Sequence, residues 1–335
     1  MPSVNYTGTV EDYSKEPFTI TSVGNTTVAF VKEGSPADIT LEYRTGGADR
    51  ASYTIGTEIP LTDGATLQFR AGEGGNSTFS ADDGYDKDSK TTIYNDYKIE
   101  VNGDGTINAS GNVMSLLNKS LSSNSLPDFA FYRLFYGCTN LIDVSNLVLP
   151  ALELSVECYC WMFASCTNLT MAPVLPATSL GYSCYSRMFS DCTHLYTAPA
   201  LPATTLAEMC YCQMFSGCTS LNEASALPAT TLAEYCYSCM FVNCTSLTTA
   251  PELPAIDLVE GCYEAMFEGC ENLSHIKALF TTEPSDTYTK RWVSGVAWNG
   301  TFVKSKDATW DVTGTSGVPS GWTIETVDTT ETAEQ

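Results

Sequence analysis

Met214-Phe215-Ser216-Gly217-Cys218-Thr219-Ser220-Leu221-Asn222-Glu223-Ala224-Ser225-Ala226-Leu227-Pro228-Ala229 decides how this chain is read, because it recurs. Met-Phe stands at 162–163, 188–189, 214–215, 240–241 and 266–267, and Leu-Pro at 149–150, 175–176, 201–202, 227–228 and 253–254. One cysteine series runs Cys138, Cys166, Cys192, Cys218, Cys244, Cys270, with a first gap of 28 and then gaps of 26. A second series, Cys158, Cys184, Cys210, Cys236, Cys262, keeps 26 throughout, and a Tyr follows each member: Tyr159, Tyr185, Tyr211, Tyr237, Tyr263. Registered columns of this kind mark a repeat array. Ala130, Phe131 and Leu134-Phe135 fall into the same columns as a degenerate first repeat, and terminal repeats are expected to be atypical.

Within one repeat Cys158, Met162 and Cys166, and likewise Tyr159 and Phe163, are spaced i, i+4. That spacing predicts one apolar helical face. The Pro-interrupted stretch after it predicts a short parallel strand around Ala172 to Leu175, since Pro cannot donate to a ladder. Thr-Thr or Thr-Ser pairs at the start of the next repeat read as N-caps. The fold expected is α+β: a short leucine-rich-repeat-like solenoid of 26-residue repeats over 116–282.

The pattern Met-Phe-x-x-Cys-Thr-x-Leu-x-x-Ala-Pro-x-Leu-Pro-Ala resembles the BspA-like class of bacterial leucine-rich repeats, best at Met214 to Ala229 and Met240 to Ala255. The repeat here is longer than that family's usual unit, and Met precedes Phe where a small residue is common. The resemblance implies a surface-displayed adhesion or recognition module of bacteria, or a bacteriophage virion protein.

Upstream, Phe18-Thr19-Ile20, Thr27 to Val31, Ile39 to Tyr43, Thr66 to Arg70 and Tyr97 to Val101 read as short strands separated by turn residues. They predict an all-β immunoglobulin-like sandwich over 17–115, preceded by an arm at 1–16. Residues 283–326, with Trp292, Trp298, Trp310 and Trp322, are expected to form a small β cap, and 327–335 a disordered acidic tail. Asn102-Gly103-Asp104-Gly105 reads as a hairpin turn; as a calcium loop it would lack its closing carboxylate. Asp82 to Asp88 is an acidic loop, readable as a solvated loop or a calcium site.

Against 16 Lys and Arg stand 39 Asp and Glu, a net charge of −23. That disfavours nucleic acid and anionic membranes as partners. No apolar run reaches a membrane span, and the first residues lack a signal peptide's basic and apolar regions. The 14 cysteines leave three readings open: buried free thiols, disulfides between rungs, or metal ligation. With two His and no finger-like pairing, no metal and no cofactor is expected. No G-x-S-x-G, H-E-x-x-H, Walker A or GxGxxG element occurs, so no catalytic residues and no enzyme are expected.

Recognition is expected where columns vary between repeats. The clearest is Trp161, Arg187, Gln213, Cys239, Ala265, in which Trp161 and Arg187 on neighbouring rungs are placed for a cation–π pair. Trp161, Arg187 and Gln213 are the candidate partner-binding residues. The partner expected is a glycan or protein of a host surface, with other virion proteins as further contacts. The function expected is a non-enzymatic recognition protein on a virion surface, where cytoplasmic assembly also suits 14 reduced thiols. The alternative is a bacterial cell-surface adhesin, and a polysaccharide-processing enzyme is the outsider.

Overall fold

The computed structural model of the chain describes residues 15–76, 84–86, 91–93, 96–117 and 126–328. Within 15–117 the elements are β1 (Thr19–Val23), β2 (Thr26–Glu33), β3 (Leu41–Thr45), β4 (Ala51–Tyr53), β5 (Ile59–Leu61), β6 (Thr66–Ala71), β7 (Gly84–Asp86), β8 (Thr91–Ile93), β9 (Asp96–Asn102) and β10 (Thr106–Asn112). They follow the β-branched and aromatic runs of the sequence. In β6 every second residue, Leu67, Phe69 and Ala71, is buried, the alternation that a one-sided strand requires. β5-β2-β9 form one sheet, and β10-β1-β6-β3-β4 run in order through the other. Phe18, Phe30, Tyr53 and Phe69 pack between them, Phe30 and Phe69 edge-to-face at 4.7 Å. Asn102 to Gly105 is not a hairpin turn, because β9 pairs with β2 and β10 pairs with β1. The Asp82–Asp88 loop lies outside the described residues except for the backbone of 84–86, and most of the arm and tail also lie outside them.

The larger sheet does not end at the sandwich. β11 (Leu141–Val148), from the first repeat, joins β10 in parallel. From β11 the ladder continues as single parallel bridges, one at Asp143–Met171, others at Thr197–Glu223 and Thr249–His275. It ends in a parallel three-stranded sheet of β12 (His275–Ala278), β13 (Thr301–Ser305) and β14 (Thr323–Val327). The bridges fall just before the prolines, since Pro173 and Pro176 remove the donors a longer strand needs. The Thr pairs read as N-caps form a second ladder instead, as at Thr205–Thr231.

The expected α+β leucine-rich-repeat solenoid is corrected here. The chain is nearly all β with mixed sheets. Among the described residues there is no α-helix, and Val113–Leu116 is a 3-10 turn. The i, i+4 stretch is built from overlapping turns. Cys160, Met162, Ala164 and Cys166 donate their N–H groups three residues back, to Glu157, Tyr159, Trp161 and Phe163. Glu157, Tyr159, Trp161 and Ser165 take positive φ, 51°, 62°, 57° and 60°, while Phe163 does not; on the next rung Ser183, Arg187 and Asp191 do, four residues apart. The N–H groups of the intervening residues turn away from the rung. Trp161, Phe163 and Ser165 donate to the carbonyls of Ser186, Met188 and Ser190 on the next rung, at 3.0, 2.9 and 2.7 Å. Later rungs repeat the pattern, as in Arg187, Phe189 and Asp191 to Cys212, Met214 and Ser216.

The geometry of stacking explains why helices fail. Tyr159, Tyr185, Tyr211, Tyr237 and Tyr263 stack with ring centroids 5.9 to 6.0 Å apart, and Phe135 to Phe267 do so at 5.4 to 5.7 Å. In-register α-helices need roughly 8–10 Å between axes. A helix would also consume its own N–H groups, leaving none to join the rungs. The turn run keeps the i, i+4 facing, so Cys158, Tyr159, Met162, Phe163 and Cys166 are all buried.

Left-handed backbone is costly for most side chains, on the order of 1–2 kcal/mol per residue. The last such column reads Gly137, Ser165, Asp191, Gly217, Asn243, Gly269, Gly295, nearly all residues that tolerate it. Gly295 belongs to a further rung beyond 282. There β13 pairs with β12 at the same 26-residue offset, His275 opposite Thr301. Trp292 closes the aromatic columns at that end, 6.2 Å from both Tyr263 and Phe267. Phe131 begins them at the other end, stacked 5.9 Å from Tyr159.

The cysteine columns are core. All 14 thiols are free and all but Cys239 are buried. Cys166, Cys192, Cys218, Cys244 and Cys270 donate S–H to the carbonyls of Phe135, Phe163, Phe189, Phe215 and Phe241, at 3.0 to 3.1 Å. Burial pushes these thiols up, Cys166, Cys192 and Cys244 well above their ordinary range. Alkylation of the native protein at pH 8 is therefore expected to label Cys239 alone within minutes, and denaturation to expose the rest. Rapid native labelling of several cysteines would contradict this packing.

The hydroxyls of Tyr159, Tyr185, Tyr211 and Tyr237 are buried without a hydrogen-bond partner. An unsatisfied buried hydroxyl costs about 1–3 kcal/mol. Tyr185→Phe is thus expected to leave the unfolding free energy unchanged or raise it by about 1 kcal/mol. A loss of similar size in a urea titration would show that the hydroxyl is engaged.

Candidate functional site

The variable column singled out from the sequence is a left-handed column, half-buried at Trp161, Arg187, Gln213 and Cys239 and buried at Arg133 and Ala265. Arg133, Trp161, Arg187, Gln213, Cys239, Ala265 and Arg291 have φ between 50° and 58°. Their neighbours two residues away in each rung point the other way and fill the core. Packing therefore fixes the core columns and leaves this one free to vary.

The structure brings the three candidates together. The Arg187 guanidinium lies 4.5 Å over the Trp161 ring, and Arg187 Nε donates to Gln213 Oε1 at 2.9 Å. On the other side, Tyr136 packs against Trp161 at 5.8 Å and 68°. Tyr136 in turn lies under the Arg133 guanidinium at 4.2 Å. One continuous strip thus crosses four rungs, an aromatic pair held between two guanidinium groups and ending at Gln213.

Its chemistry follows from what is covered. Trp161 has Arg187 over one face, so that face is not open to stack on a sugar ring, and Tyr136 meets the indole at 68°. The strip is half-buried at Trp161, Arg187 and Gln213. What it presents is an indole rim beside a guanidinium and a carboxamide, suited to polar acceptors on a partner.

The strip is anchored at the junction with the sandwich. Arg133 Nη1 lies 2.8 Å from Asp96 Oδ2 and 3.4 Å from Glu33 Oε2. Asp96 is fully buried. Burial pushes its carboxyl up to about 6, against the pull of Arg133. Next to this pair, Ile99 of β9 donates to the carbonyl of Leu134, joining the first rung to the sandwich.

Sequence reasoning missed other outward residues. Met171 is 52% exposed where its column otherwise carries Thr197, Glu223 and Thr249, and Tyr196 is 50% exposed where Thr170, Asn222 and Thr248 stand. An apolar residue breaking a polar column was the available signal. His194 is a turn residue, its Nδ1 2.6 Å from the carbonyl oxygen of Thr167. Among the described residues no group of three or more His, Cys, Asp or Glu is arranged to hold a metal ion, and no helix is long and apolar enough to cross a membrane. No protein-family model, no curated protein and no solved structure matches this chain.

Proposed function

We propose that this chain is a non-enzymatic recognition protein displayed on a surface, and specifically a bacteriophage virion component that contacts the host surface. The observation that carries this reading is the division of labour between columns. The repeated residues, Cys, Tyr, Met and Phe, are spent on packing inside the stack. The outward columns differ from rung to rung on that regular frame, as Trp161, Arg187 and Gln213 do. A frame cross-linked by backbone at every second residue of the turn runs can present a varied surface without flexing. The net charge of −23 keeps such a displayed protein soluble. The partner would be a host-surface glycan or protein, met at polar groups by the Trp161–Arg187–Gln213 strip.

Immunogold labelling of intact particles tests the placement. Label on the particle surface is the expected outcome. Label confined to bacterial cell surfaces would replace it with the adhesin reading, which the BspA-like motif favours. Whole-cell binding tests the strip: Arg187→Ala is expected to weaken binding about tenfold or more. Unchanged binding at full folding would remove the strip from the account.

A further inference from the structure

The end of the ladder offers a second surface, independent of the strip and of the virion reading. The last rungs hold four tryptophans, and three are consumed by the fold. The indole N–H groups of Trp292, Trp310 and Trp322 donate to the carbonyls of Gly317, Phe280 and Ala297, at 2.9, 3.3 and 2.8 Å, and all three rings are buried. Trp298 is 86% exposed, the most open large apolar side chain among the described residues. Its backbone passes beside Gly321, just before β14.

β14 is the edge strand of its sheet. Thr323 donates to Gly300, and Val327 accepts from Lys306, both toward β13. Alternate residues of a parallel strand turn both backbone groups to the same side. Ile324 and Thr326 therefore present their N–H and C=O groups to the open edge. Proteins blunt such edges with Lys, Pro or bulges. Thr323-Ile324-Glu325-Thr326-Val327 has none of these residues, and Ile324 is 42% exposed. Among the described residues from β13 onward, Asp311 and Asp328 pair with Lys304 and Lys306, and Asp307 and Glu325 are the acidic excess. A second copy would bring the same acidic surface to this edge and be repelled.

We propose that the free edge of β14 accepts an extended, cationic segment of a different polypeptide as an added strand, anchored on Trp298. Main-chain hydrogen bonds would supply the pairing, Trp298 an apolar anchor, and the acidic residues the preference for positive charge.

Calorimetric titration of the full chain with the peptide Lys-Val-Lys-Thr-Lys-Val-Lys-Thr tests this, with the same peptide carrying Glu for Lys as the counterpart. Thr326→Pro removes an outward N–H without touching the bonds to β13, and Trp298→Ala removes the anchor. Both residues are exposed, so melting temperatures should not change. The expected result is saturable one-to-one binding of the Lys peptide, at least tenfold weaker in each variant, and none of the Glu peptide. Absent binding, or binding that survives either substitution, overturns the proposal. So does a wild-type dimer in sedimentation that Thr326→Pro dissociates, since the edge would then pair with its own copy.

Discussion

Replacing Arg133 by Ala is expected to cost about 3–5 kcal/mol of stability at pH 8, because it strips a buried carboxylate of its partner. Asp96 has no exposed surface, and its Oδ1 already lacks a hydrogen-bond partner. The charged groups facing the pair are Glu33 and Lys98, and Lys98 is engaged by Glu33 at 3.2 Å. The loss should depend on pH with a definite sign. In the wild type burial raises the Asp96 carboxyl to about 6, above its ordinary value near 3.9 when unfolded. The folded state therefore holds this proton more tightly, and its contribution to stability falls as pH rises from about 4 through 6. Without Arg133 the carboxyl rises further, so the penalty should be small at pH 5 and grow toward pH 8. Asp96→Asn in the Arg133→Ala background should recover much of it at pH 8. Urea unfolding at the two pH values checks this, and a pH-independent loss would mean that Arg133 acts only through its packing on Tyr136.

Gly181→Ala carries the second large effect, and repeat comparison alone would mispredict it. The equivalent residues on the next two rungs are Ala207 and Ala233, so Ala looks harmless at 181. At this rung, however, an added Cβ would sit 2.5 Å from the carbonyl carbon of Ser155 and 2.7 Å from the carbonyl oxygen of Leu154. Both are backbone atoms, and they cannot rotate aside. Overpacking of this kind costs about 1–3 kcal/mol, more when the backbone must move. The expected result is a lower thermal midpoint for Gly181→Ala, with a smaller loss for the reciprocal Ala207→Gly. Wild-type stability in Gly181→Ala would show that rungs one and two are further apart than described.

Much of this was legible in the columns. Cys, Tyr, Met and Phe positions reported which side chains face inward, and all are buried. The Trp161–Arg187 contact followed from their placement on adjacent rungs. The backbone that delivers the facing was misread, because i, i+4 spacing records side-chain direction and not the sign of φ. Two signals pointed away from a helix. A parallel ladder with one strand position per repeat sets a rise near 5 Å, too small for stacked helices. The column Gly137, Ser165, Asp191, Gly217, Asn243, Gly269 is rich in residues that accept positive φ. The junction was not legible: Asp96 and Arg133 are 37 residues apart and belong to no repeated pattern. Trp298 and Met171 were passed over because each interrupts a polar column only once.

The alternation of backbone handedness within each rung is the claim on which the rest depends, and Ser165 tests it most directly. Ser165 has φ of 60°, is half-buried, and donates its N–H to Ser190 on the next rung. The unfolding free energies of Ser165→Gly and Ser165→Ala should be compared by urea titration. In a left-handed position Gly is expected to be more stable than Ala by about 1 kcal/mol. In a helix the order reverses by a similar amount, with Ala more stable than Gly. Gly above Ala is the result the account predicts; Ala above Gly would contradict it.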